Sequence, residues 1–362
     1  MEIGKVSVII PAYKPDDKLI ATLSGIINSG FKDIIVVDDG SGESFEPIFE
    51  KVKQLPACTL LRHEVNRGKG AALKTAFKYF SDNRKDMLGV VTADADGQHL
   101  AEDIKAVSEA MIAKKEVILG VRDFSDPAVP ARSKSGNRIT SAVFKIFFGM
   151  KISDTQTGLR AIPAEYLSDI ALAKGDRYEF ETNMLFLINK RSIPMGEVKI
   201  ATVYIEENRS SHFRVVRDSI RIYSLIIKYL FSSCAAAVID ASVFYFLHEF
   251  AVFRFIPISL EVSSNFGARV VSSIINYFLN SKMVFGDKMS KKTLLRYYIL
   301  AIAVIVASSG LVKLSKGLLG IESSLLLTVI KVLIDTVLFF VTFRVQHKWV
   351  FNSKGKIEKK AK

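Results

Sequence analysis

Short apolar runs alternate with amphipathic stretches along residues 1–212. The apolar runs are Val6–Ile10, Ile34–Val37, Thr59–Leu61, Leu88–Thr92 and Val117–Gly120, and the amphipathic stretches between them include Gly70–Phe80 and Asp103–Ala113. Strands that are apolar throughout and separated by helices are typical of a mostly parallel sheet with both faces covered. The pattern therefore predicts an α/β domain over residues 1–212.

Four long apolar segments follow: Leu225–Leu247, Ser259–Phe285, Leu294–Leu314 and Ser324–Phe343. Each could cross a hydrocarbon core of about 30 Å as a helix. Lysines and arginines concentrate between the second and third segments and in the tail, so the positive-inside rule places both termini in the cytoplasm. We expect an all-α transmembrane domain of four helices over residues 229–352 in the cytoplasmic (plasma) membrane. A basic cytoplasmic tail would occupy residues 353–362.

An amphipathic stretch precedes the first membrane segment. Phe213, Val216 and Ile220 share one face at three- and four-residue spacing, and Arg214 begins a neighbouring cationic stripe. Such a stretch next to a membrane segment favours a helix in the head-group plane, so we expect an interfacial helix over residues 213–228. Packing of the same helix on the α/β domain is the alternative.

The membrane segments also repeat a short motif. Lys282–Phe285 and Lys348–Phe351 each close an aromatic-rich segment, and they lie 66 residues apart. Two helical hairpins of related sequence would explain this spacing. Coincidence between the basic and aromatic anchors that end many membrane spans is the alternative.

Composition and charge narrow the choice of partners. The chain has 50 lysines and arginines against 37 acidic residues, and the net charge of +13 indicates an anionic partner. Because this charge lies mostly at the ends of the membrane segments and on the amphipathic stretch, we expect a lipid bilayer and no nucleic acid. The two cysteines, Cys58 and Cys234, are far apart in sequence, so we expect neither a disulfide framework nor a structural zinc site.

Unusually polar segments begin where four of the predicted strands end. They are Pro11–Tyr13, Asp38–Ser41, Asn66–Gly70 and Asp94–His99. In open α/β sheets, ligands bind beyond the carboxyl ends of the strands. The sequence therefore predicts a ligand site at this edge of the sheet.

Asp94, Ala95 and Asp96 place two carboxylates two positions apart after a buried strand, and Gln98 follows. Oxygen ligands in this arrangement suit a hard divalent ion that keeps open positions for a diphosphate, so a divalent metal site is expected here. An ordinary surface turn is the alternative. The loop Asn66–Gly70 adds glycines that would let the backbone approach a ligand, and two cations that could face phosphates, without the spacing of a Walker loop.

Further motifs complete an ordered series: Gly120–Arg122, Asn137–Arg138 and Asp154–Arg160. With Ile9–Tyr13 and the other strand-end segments, this series resembles family 2 glycosyltransferases of the dolichol- or polyprenyl-phosphate hexose synthase type. The membrane part resembles the GtrA-like family, so the resemblance spans nearly all of the chain. It implies a GT-A fold, that of nucleotide-diphospho-sugar transferases, for the first domain.

The resemblance also implies roles for individual residues. The residues that would bind the nucleotide-sugar are Pro11, Ala12, Tyr13, Asp39, Lys69, Asp94, Ala95, Gln156 and Arg209. The expected cofactor, Mg²⁺ or Mn²⁺, would be held by Asp94, Asp96 and Gln98. The lipid phosphate would be bound by Arg122, Arg138 and Ser141. Asp96, Arg122 and Arg138 would be catalytic, and Asp154 and Glu179–Glu181 would line the sugar side. Family members commonly have Asn-Glu after Pro-Ala-Tyr, whereas this chain has Lys14, Pro15 and Asp16.

The implied function is metal-dependent, inverting transfer of a single hexose-type sugar to polyprenyl (undecaprenyl or dolichyl) phosphate, in the context of the cell envelope. A UDP-sugar is the favoured donor, with GDP-mannose as an option, and an oligomer is compatible with the sequence. A lipid monophosphate is already anionic at neutral pH, so it needs no strong general base for its attack on the anomeric carbon.

Two other functions are compatible with parts of the sequence. The first is a lipid-linked sugar flippase or anchor whose N-terminal domain only binds. The second is a processive polysaccharide synthase, but such enzymes carry Gln-x-x-Arg-Trp after the Asp-x-Asp region. The one tryptophan here, Trp349, lies at the far membrane end, which disfavours this alternative.

Overall fold

The computed structural model describes residues 2–124, 129, 131–201, 224–250, 260–285, 289–320 and 324–351. The chain divides into two compact units, Met1–Ile222 and Tyr223–Lys362. Arg209, residues 213–223 of the expected interfacial helix and the basic tail lie outside the described residues. The domain boundaries expected from the sequence therefore stay predictions.

Seven strands form one sheet in the described part of the first unit. They are β1 (Val6–Ala12), β2 (Asp33–Asp38), β3 (Cys58–Arg62), β4 (Gly89–Thr92), β5 (Val117–Arg122), β6 (Arg160–Pro163) and β7 (Met195–Ile200), in the order β3-β2-β1-β4-β6-β5-β7. The first five coincide with the predicted apolar runs, which confirms those predictions. The sequence pattern did not predict β6 and β7.

Strand β6 makes the sheet mixed and brings a further segment to the site. It lies antiparallel between β4 and β5, with Arg160 opposite Thr92 and Leu119, whereas the other neighbouring pairs in the described sheet are parallel. Because β6 runs the opposite way, its amino end lies at the edge where β4 and β5 end. The residues that precede Arg160 therefore lie beside those that follow β4 and β5.

Helices connect the strands and cover the sheet. In the described part of the first unit they are α1 (Lys18–Asn28), α2 (Glu46–Lys53), α3 (Lys69–Asn83), α4 (Ala101–Lys114), α5 (Ala131–Val143), α6 (Ala164–Ile170) and α7 (Glu179–Arg191), and a π-helical turn, Phe144–Phe148, follows α5. The amphipathic stretches predicted from the sequence lie within α3 and α4.

Both faces of the sheet are buried. Val8 and Ile10 of β1 belong to one core with Leu23 of α1 and Ile104 of α4. Ile9, whose side chain points to the opposite face, is also fully buried. The expected α/β architecture with a covered sheet is confirmed.

The second unit consists of helices in its described part. They are α8 (Ser224–Glu249), α9 (Leu260–Leu279), α10 (Lys291–Leu319) and α11 (Ser324–Val345), with π-helical turns at Asn280–Val284 and Gln346–Val350. Among the described residues, one helical stretch, Ile227–Leu247, is long and apolar enough to cross a membrane. The predicted four spans stay a prediction.

Equivalent positions of the 66-residue repeat contact each other. Asn280 Nδ2 donates a hydrogen bond to Gln346 Oε1 at 3.2 Å, and the rings of Phe285 and Phe351 stack with their centroids 4.9 Å apart. Contact between equivalent positions is expected where two related halves meet around an axis. The repeat in the sequence therefore has a structural counterpart.

Aspartates in the helices of the second unit are paired with serines of a neighbouring helix. Ser272 Oγ donates to Asp240 Oδ1 at 2.7 Å, and Ser308 Oγ donates to Asp335 Oδ1 at 2.6 Å. Arg269 also lies 3.7 Å from Asp240 Oδ2. These contacts lower the cost of placing carboxylates among apolar helices.

Replacement of Leu23 by alanine should destabilise the first unit. Leu23 is fully buried, and truncating a buried leucine costs about 2–5 kcal/mol of unfolding free energy. We expect Leu23→Ala to lower the thermal unfolding midpoint of the full chain in detergent, measured by circular dichroism. Leu172→Ala is the control because Leu172 is 60% exposed. An equal effect of both variants would contradict the assigned core.

Candidate active site

The predicted site residues of the sheet lie at one edge. Ala12, Asp38 and Arg122 end β1, β2 and β5, and Asp94 follows the end of β4. These strands run in the same direction, so their carboxyl ends meet at the same edge. The sequence-based placement of a site at this edge is therefore consistent with the topology.

Asp39 organises the loop after β3. Its Oδ1 accepts hydrogen bonds from His63 Nδ1 at 2.7 Å and the Arg67 N–H at 3.0 Å, and its Oδ2 accepts from the Gly68 N–H at 2.7 Å and Asn66 Nδ2 at 3.0 Å. Asp39 is only 2% exposed. Its contacts among the described residues shape the loop, and its predicted contact with the nucleotide stays a prediction.

The turn after β1 has an unusual backbone at Lys14. This residue has a φ of 51°, a left-handed conformation that asparagine adopts more readily than lysine. Its N–H donates to Ser41 Oγ at 2.8 Å, and its ammonium lies 5.3 Å from the centroid of the Tyr13 ring. Where family members commonly have asparagine, this chain thus has Lys14 in a backbone conformation that suits asparagine. Lys14 lies close in sequence to Pro11 and Ala12, which are predicted to bind the nucleotide-sugar.

The glycines after β3 are required by the chain itself. A Cβ on Gly70 would lie 2.5 Å from Cβ of Phe180, and one on Gly68, whose φ is +104°, would collide with the carbonyl of Asp176. Lys74 Nζ donates to the Gly175 carbonyl at 2.7 Å and fastens the same contact. The atoms that come close to these glycines belong to residues 175–180. The glycines therefore allow close packing within the protein, whereas the sequence analysis expected them to allow the approach of a ligand.

An ion cluster joins three distant parts of the chain. Lys69 Nζ lies 2.6 Å from Asp94 Oδ1 and 3.0 Å from Glu181 Oε1. Burial alone would lower the pKa of Lys69, but the two carboxylates outweigh it and raise that pKa. Burial would likewise raise the pKa of Asp94, but the charge and hydrogen bond of Lys69, together with the charges of His99 and Arg122, outweigh burial and lower that pKa to about 2. Lys69 and Asp94 are therefore both charged at neutral pH.

Asp96 and Asp94 fit a hard divalent cation. Burial, followed by the charge of Asp94, raises the pKa of Asp96, which marks a carboxylate that its surroundings do not fully neutralise. The Lys69 ammonium, which contacts Asp94, shows that this position favours a positive charge. The Gln98 N–H donates to Asp96 Oδ1 at 3.1 Å.

The protein supplies few acidic or imidazole ligands at this position. The described residues hold no group of three or more His, Cys, Asp or Glu side chains able to bind a metal. A divalent ion at Asp94 and Asp96 would therefore need further oxygens, such as the amide of Gln98 or those of a substrate.

His99 supports Asp94 and has no role in the sequence-based prediction. Its Nδ1 accepts a hydrogen bond from the Asp94 N–H at 3.1 Å, and burial lowers the pKa of the imidazole. A neutral ring with Nδ1 as acceptor suits this contact. Its position at the end of the Asp94–His99 segment was the one available signal in the sequence.

Arg122 is held by a carboxylate. Its Nε and Nη2 donate to Asp154 Oδ2 and Oδ1 at 2.7 and 3.1 Å, and Asp154 is fully buried. The Gln156 N–H also donates to Asp154 Oδ1, at 3.1 Å. Asp154 thereby orients two groups. One is the Arg122 guanidinium, which is predicted to bind the lipid phosphate, and the other is the backbone N–H of the exposed Gln156.

Helix α5 carries the other predicted acceptor residues. Asn137 Nδ2 donates to the Ser153 carbonyl at 2.6 Å and ties this helix to the segment that contains Asp154. Arg138 is exposed, and Ser141 Oγ is buried without a hydrogen-bond partner among the described residues. Their binding of a lipid phosphate stays a prediction.

Comparison with known proteins identifies two families in the chain. Residues 7–170 match the family "Glycosyl transferase family 2", and residues 228–351 match "GtrA/DPMS, transmembrane domain". The two matches follow each other without overlap. Each covers the part of the chain in which the sequence motifs predicted it.

Several curated proteins are similar to part of this chain. An uncharacterized protein of Methanocaldococcus jannaschii is 30% identical over 237 residues, which cover 64% of this chain and 95% of that protein. The UDP-N-acetylglucosamine–dolichyl-phosphate N-acetylglucosaminyltransferase of Methanococcus voltae is 29% identical, covering 56% of this chain and 86% of its own. The dolichyl-phosphate beta-glucosyltransferase of Dictyostelium discoideum is 29% identical, covering 60% and 73%.

Among solved structures, glucosyl-3-phosphoglycerate synthase of Mycobacterium tuberculosis, crystallised with Mn²⁺, UDP and phosphoglyceric acid, is a distant match. It aligns with a TM-score of 0.46 and 14% identity over 63% of this chain and 78% of that chain. A similarity of this degree carries no information about substrate or metal.

Substitution of Gly158 should weaken divalent-metal binding. A Cβ at this position would lie 2.5 Å from Asp94 Oδ2, so the carboxylate would have to move. Because displaced ligand geometry typically costs about 10–100-fold in metal affinity, we expect Gly158→Ala to bind Mn²⁺ at least about tenfold more weakly, measured by electron paramagnetic resonance.

The matched control is Gly25→Ala in α1. Its added Cβ would meet Ala101 Cβ at 3.6 Å, an ordinary contact, so Mn²⁺ binding should not change. Normal Mn²⁺ affinity in folded Gly158→Ala protein would contradict the assignment of Asp94 as a metal ligand.

Proposed function

Because the chain belongs to glycosyl transferase family 2 and carries a GtrA/DPMS transmembrane domain, we propose that it transfers a single hexose-type sugar from a nucleotide-sugar to polyprenyl phosphate. The observation that carries the proposal is the cluster of Lys69, Asp94 and Glu181 beside Asp96. It gathers groups suited to a diphosphate and its counter-ion at the ligand-binding edge of the sheet. The relatives named as dolichyl-phosphate transferases support the acceptor class.

The donor would lie at the edge formed by β1, β2 and β4. Pro11–Tyr13, Asp39 and Lys69 would hold the nucleotide part, and Asp94, Asp96 and Gln98 would hold Mg²⁺ or Mn²⁺. When bound, the divalent ion would neutralise the negative charge of the leaving nucleoside diphosphate. Lys69 would add a second cation that is already ordered by its two carboxylates. A UDP-sugar is favoured, and GDP-mannose is the alternative donor.

The acceptor would be the monophosphate of a polyprenol. Arg122, fixed by Asp154, would place this phosphate in line with the anomeric carbon, and Arg138 and Ser141 would complete its contacts. The phosphate oxygen is anionic at neutral pH, so its attack needs no proton transfer to a strong base. A single displacement would form the new glycosyl–phosphate bond, release the nucleoside diphosphate and invert the anomeric centre.

The membrane part would hold the enzyme at its lipid substrate. We place four spans over residues 229–352, an interfacial helix over residues 213–228, and the catalytic domain with both termini in the cytoplasm. The basic residues at the ends of the apolar segments support this orientation. Whether the unit also moves the product across the bilayer is a separate property that the proposed transfer does not require.

Nucleotide release is the direct test of the reaction. Purified full-length protein in detergent is mixed with Mn²⁺ and with UDP-glucose, UDP-N-acetylglucosamine or GDP-mannose, with and without undecaprenyl phosphate. We expect one donor to give UDP or GDP release only when the lipid phosphate is present. Donor binding without release from any of a wider panel of nucleotide-sugars would favour the binding-only flippase or anchor instead.

Loss of the Asp96 carboxylate should abolish most of this activity. Because electrostatic stabilisation of a leaving group by one group is typically worth about 100-fold or more in rate, we expect Asp96→Asn to lower kcat by at least that factor. The exposed Asp82 on α3 provides the control, and Asp82→Asn should retain wild-type rates. Full lipid-sugar synthesis by Asp96→Asn would refute the proposed catalytic role.

Truncation of Arg138 should affect the acceptor and not the donor. Because a charge-assisted contact to phosphate is lost, we expect Arg138→Ala to raise KM for undecaprenyl phosphate about tenfold. The donor KM should stay within about twofold. Lys78→Ala, which removes an exposed cation from α3, should change neither value. A rise of the donor KM alone would contradict the assignment of Arg138 to the acceptor, since it would show that Arg138 contacts the nucleotide-sugar.

A further inference from the structure

Arg160 is a buried cation to which the reaction assigns no role. It begins β6 and is 1% exposed, which makes it the largest fully buried side chain among the described residues. Burial lowers the pKa of its guanidinium, although the charges of Glu181, Asp154 and Asp94 partly oppose this. A buried guanidinium is a costly way to fill space if packing is its only role.

The contacts of Arg160 link two segments that flank the site. Its Nε donates to the Thr157 carbonyl at 3.0 Å, and its Nη1 donates to the Glu181 carbonyl at 2.5 Å. Thr157 lies in the segment that orients Arg122 through Asp154, and Glu181 lies in the first turn of α7. Arg160 thus fastens the start of α7 to the edge of the sheet.

The second segment leads directly to the predicted donor site. The backbone carbonyl of Glu181 accepts the hydrogen bond from Arg160, and the side-chain Oε1 of Glu181 lies 3.0 Å from Lys69 Nζ. Lys69 Nζ in turn lies 2.6 Å from Asp94 Oδ1. One residue, Glu181, therefore receives Arg160 through its backbone and holds Lys69 through its side chain. A shift of the first turn of α7 would move the carboxylate away from the ammonium.

We propose that Arg160 is a positioning residue for the donor: it fixes the backbone of Glu181, so that the Glu181 carboxylate places the Lys69 ammonium for the donor diphosphate. The inference rests on the proposed function, because it takes Lys69 as a contact of the nucleotide-sugar. Arg160 itself touches neither substrate. Its effect passes through Glu181.

The geometry explains why a long, planar cation is suited to this place. Two carbonyls on different segments must be bound at once, and a guanidinium offers several donors in a rigid plane, whereas an ammonium is a single point. Arg160→Lys should therefore restore less than wild-type function even though it keeps the charge. Arg160→Met keeps much of the length and removes both hydrogen bonds.

Nucleotide affinity tests the proposal apart from turnover. Binding of UDP in the presence of Mn²⁺, or of GDP if release identifies a guanosine donor, is measured by isothermal titration calorimetry on the full chain in detergent. Because hydrogen bonds of a charged group are lost, we expect Arg160→Met to raise Kd by about tenfold or more and Arg160→Lys to raise it less.

A double-mutant cycle with Glu181→Gln distinguishes positioning from a general loss of structure. If Arg160 acts through Glu181, each single variant weakens binding, and adding Arg160→Met to Glu181→Gln changes Kd by less than about twofold. Multiplicative effects of the two substitutions would overturn the proposal. If Arg160→Met does not fold, the same comparison is made with Arg160→Lys.

Arg84→Met is the matched control. Arg84 is partly buried, and its Nε donates to Asp33 at the amino end of β2, away from the site edge. It should lower the unfolding temperature without changing nucleotide Kd. Equal loss of affinity in Arg84→Met and Arg160→Met would overturn the positioning role.

The outcomes also separate this proposal from the proposed function. Normal nucleotide binding by Arg160→Met, with normal binding by the wild type, would overturn the positioning role alone. Failure of the wild type to bind UDP or GDP with Mn²⁺ would overturn the proposed function and, with it, this inference.

Discussion

The ion cluster around Lys69 is the interaction on which the rest of the site depends. It joins the start of α3, the segment after β4 and the first turn of α7, which are far apart in sequence. An isolated buried charge would be costly, but the shared contacts stabilise both signs. A cation that is ordered in advance would also reduce the entropy that binding of the proposed donor must overcome. The fold thus prepares the site through contacts within the protein.

The antiparallel strand β6 gives the sheet a second way to build the site. The parallel strands contribute residues that follow their carboxyl ends, whereas β6 contributes residues that precede its amino end. Thr92 Oγ1 of β4 donates to the Gly158 carbonyl at 2.7 Å, which sets this segment directly against the Asp94 side chain. Gly158 therefore leaves open the space that the Asp94 carboxylate occupies.

The sequence allowed local features to be predicted better than long-range ones. Buried parallel strands such as β1 appear as continuous apolar runs, and the membrane repeat is visible as a constant spacing. Strand β6 begins with the cation Arg160 and ends with Pro163, so it does not appear as an apolar run in the sequence. The reason for Gly70 was also hidden, because its close neighbour, Phe180, lies more than a hundred positions away. The spacing of residues along the chain does not show which distant residues come into contact.

Charge balance gives a physical reason to expect a divalent cation in the proposed reaction. Among the described side chains that these contacts connect, the cations of Lys69, Arg122 and Arg160 face four carboxylates: Asp94, Asp96, Asp154 and Glu181. The carboxylates orient the cations, but they also weaken the attraction of the site for a diphosphate. A further cation would therefore strengthen the attraction of the site for the proposed diphosphate. A divalent ion on Asp94 and Asp96 would reverse the local balance, and it would do so beside Lys69, where the donor diphosphate is proposed to bind.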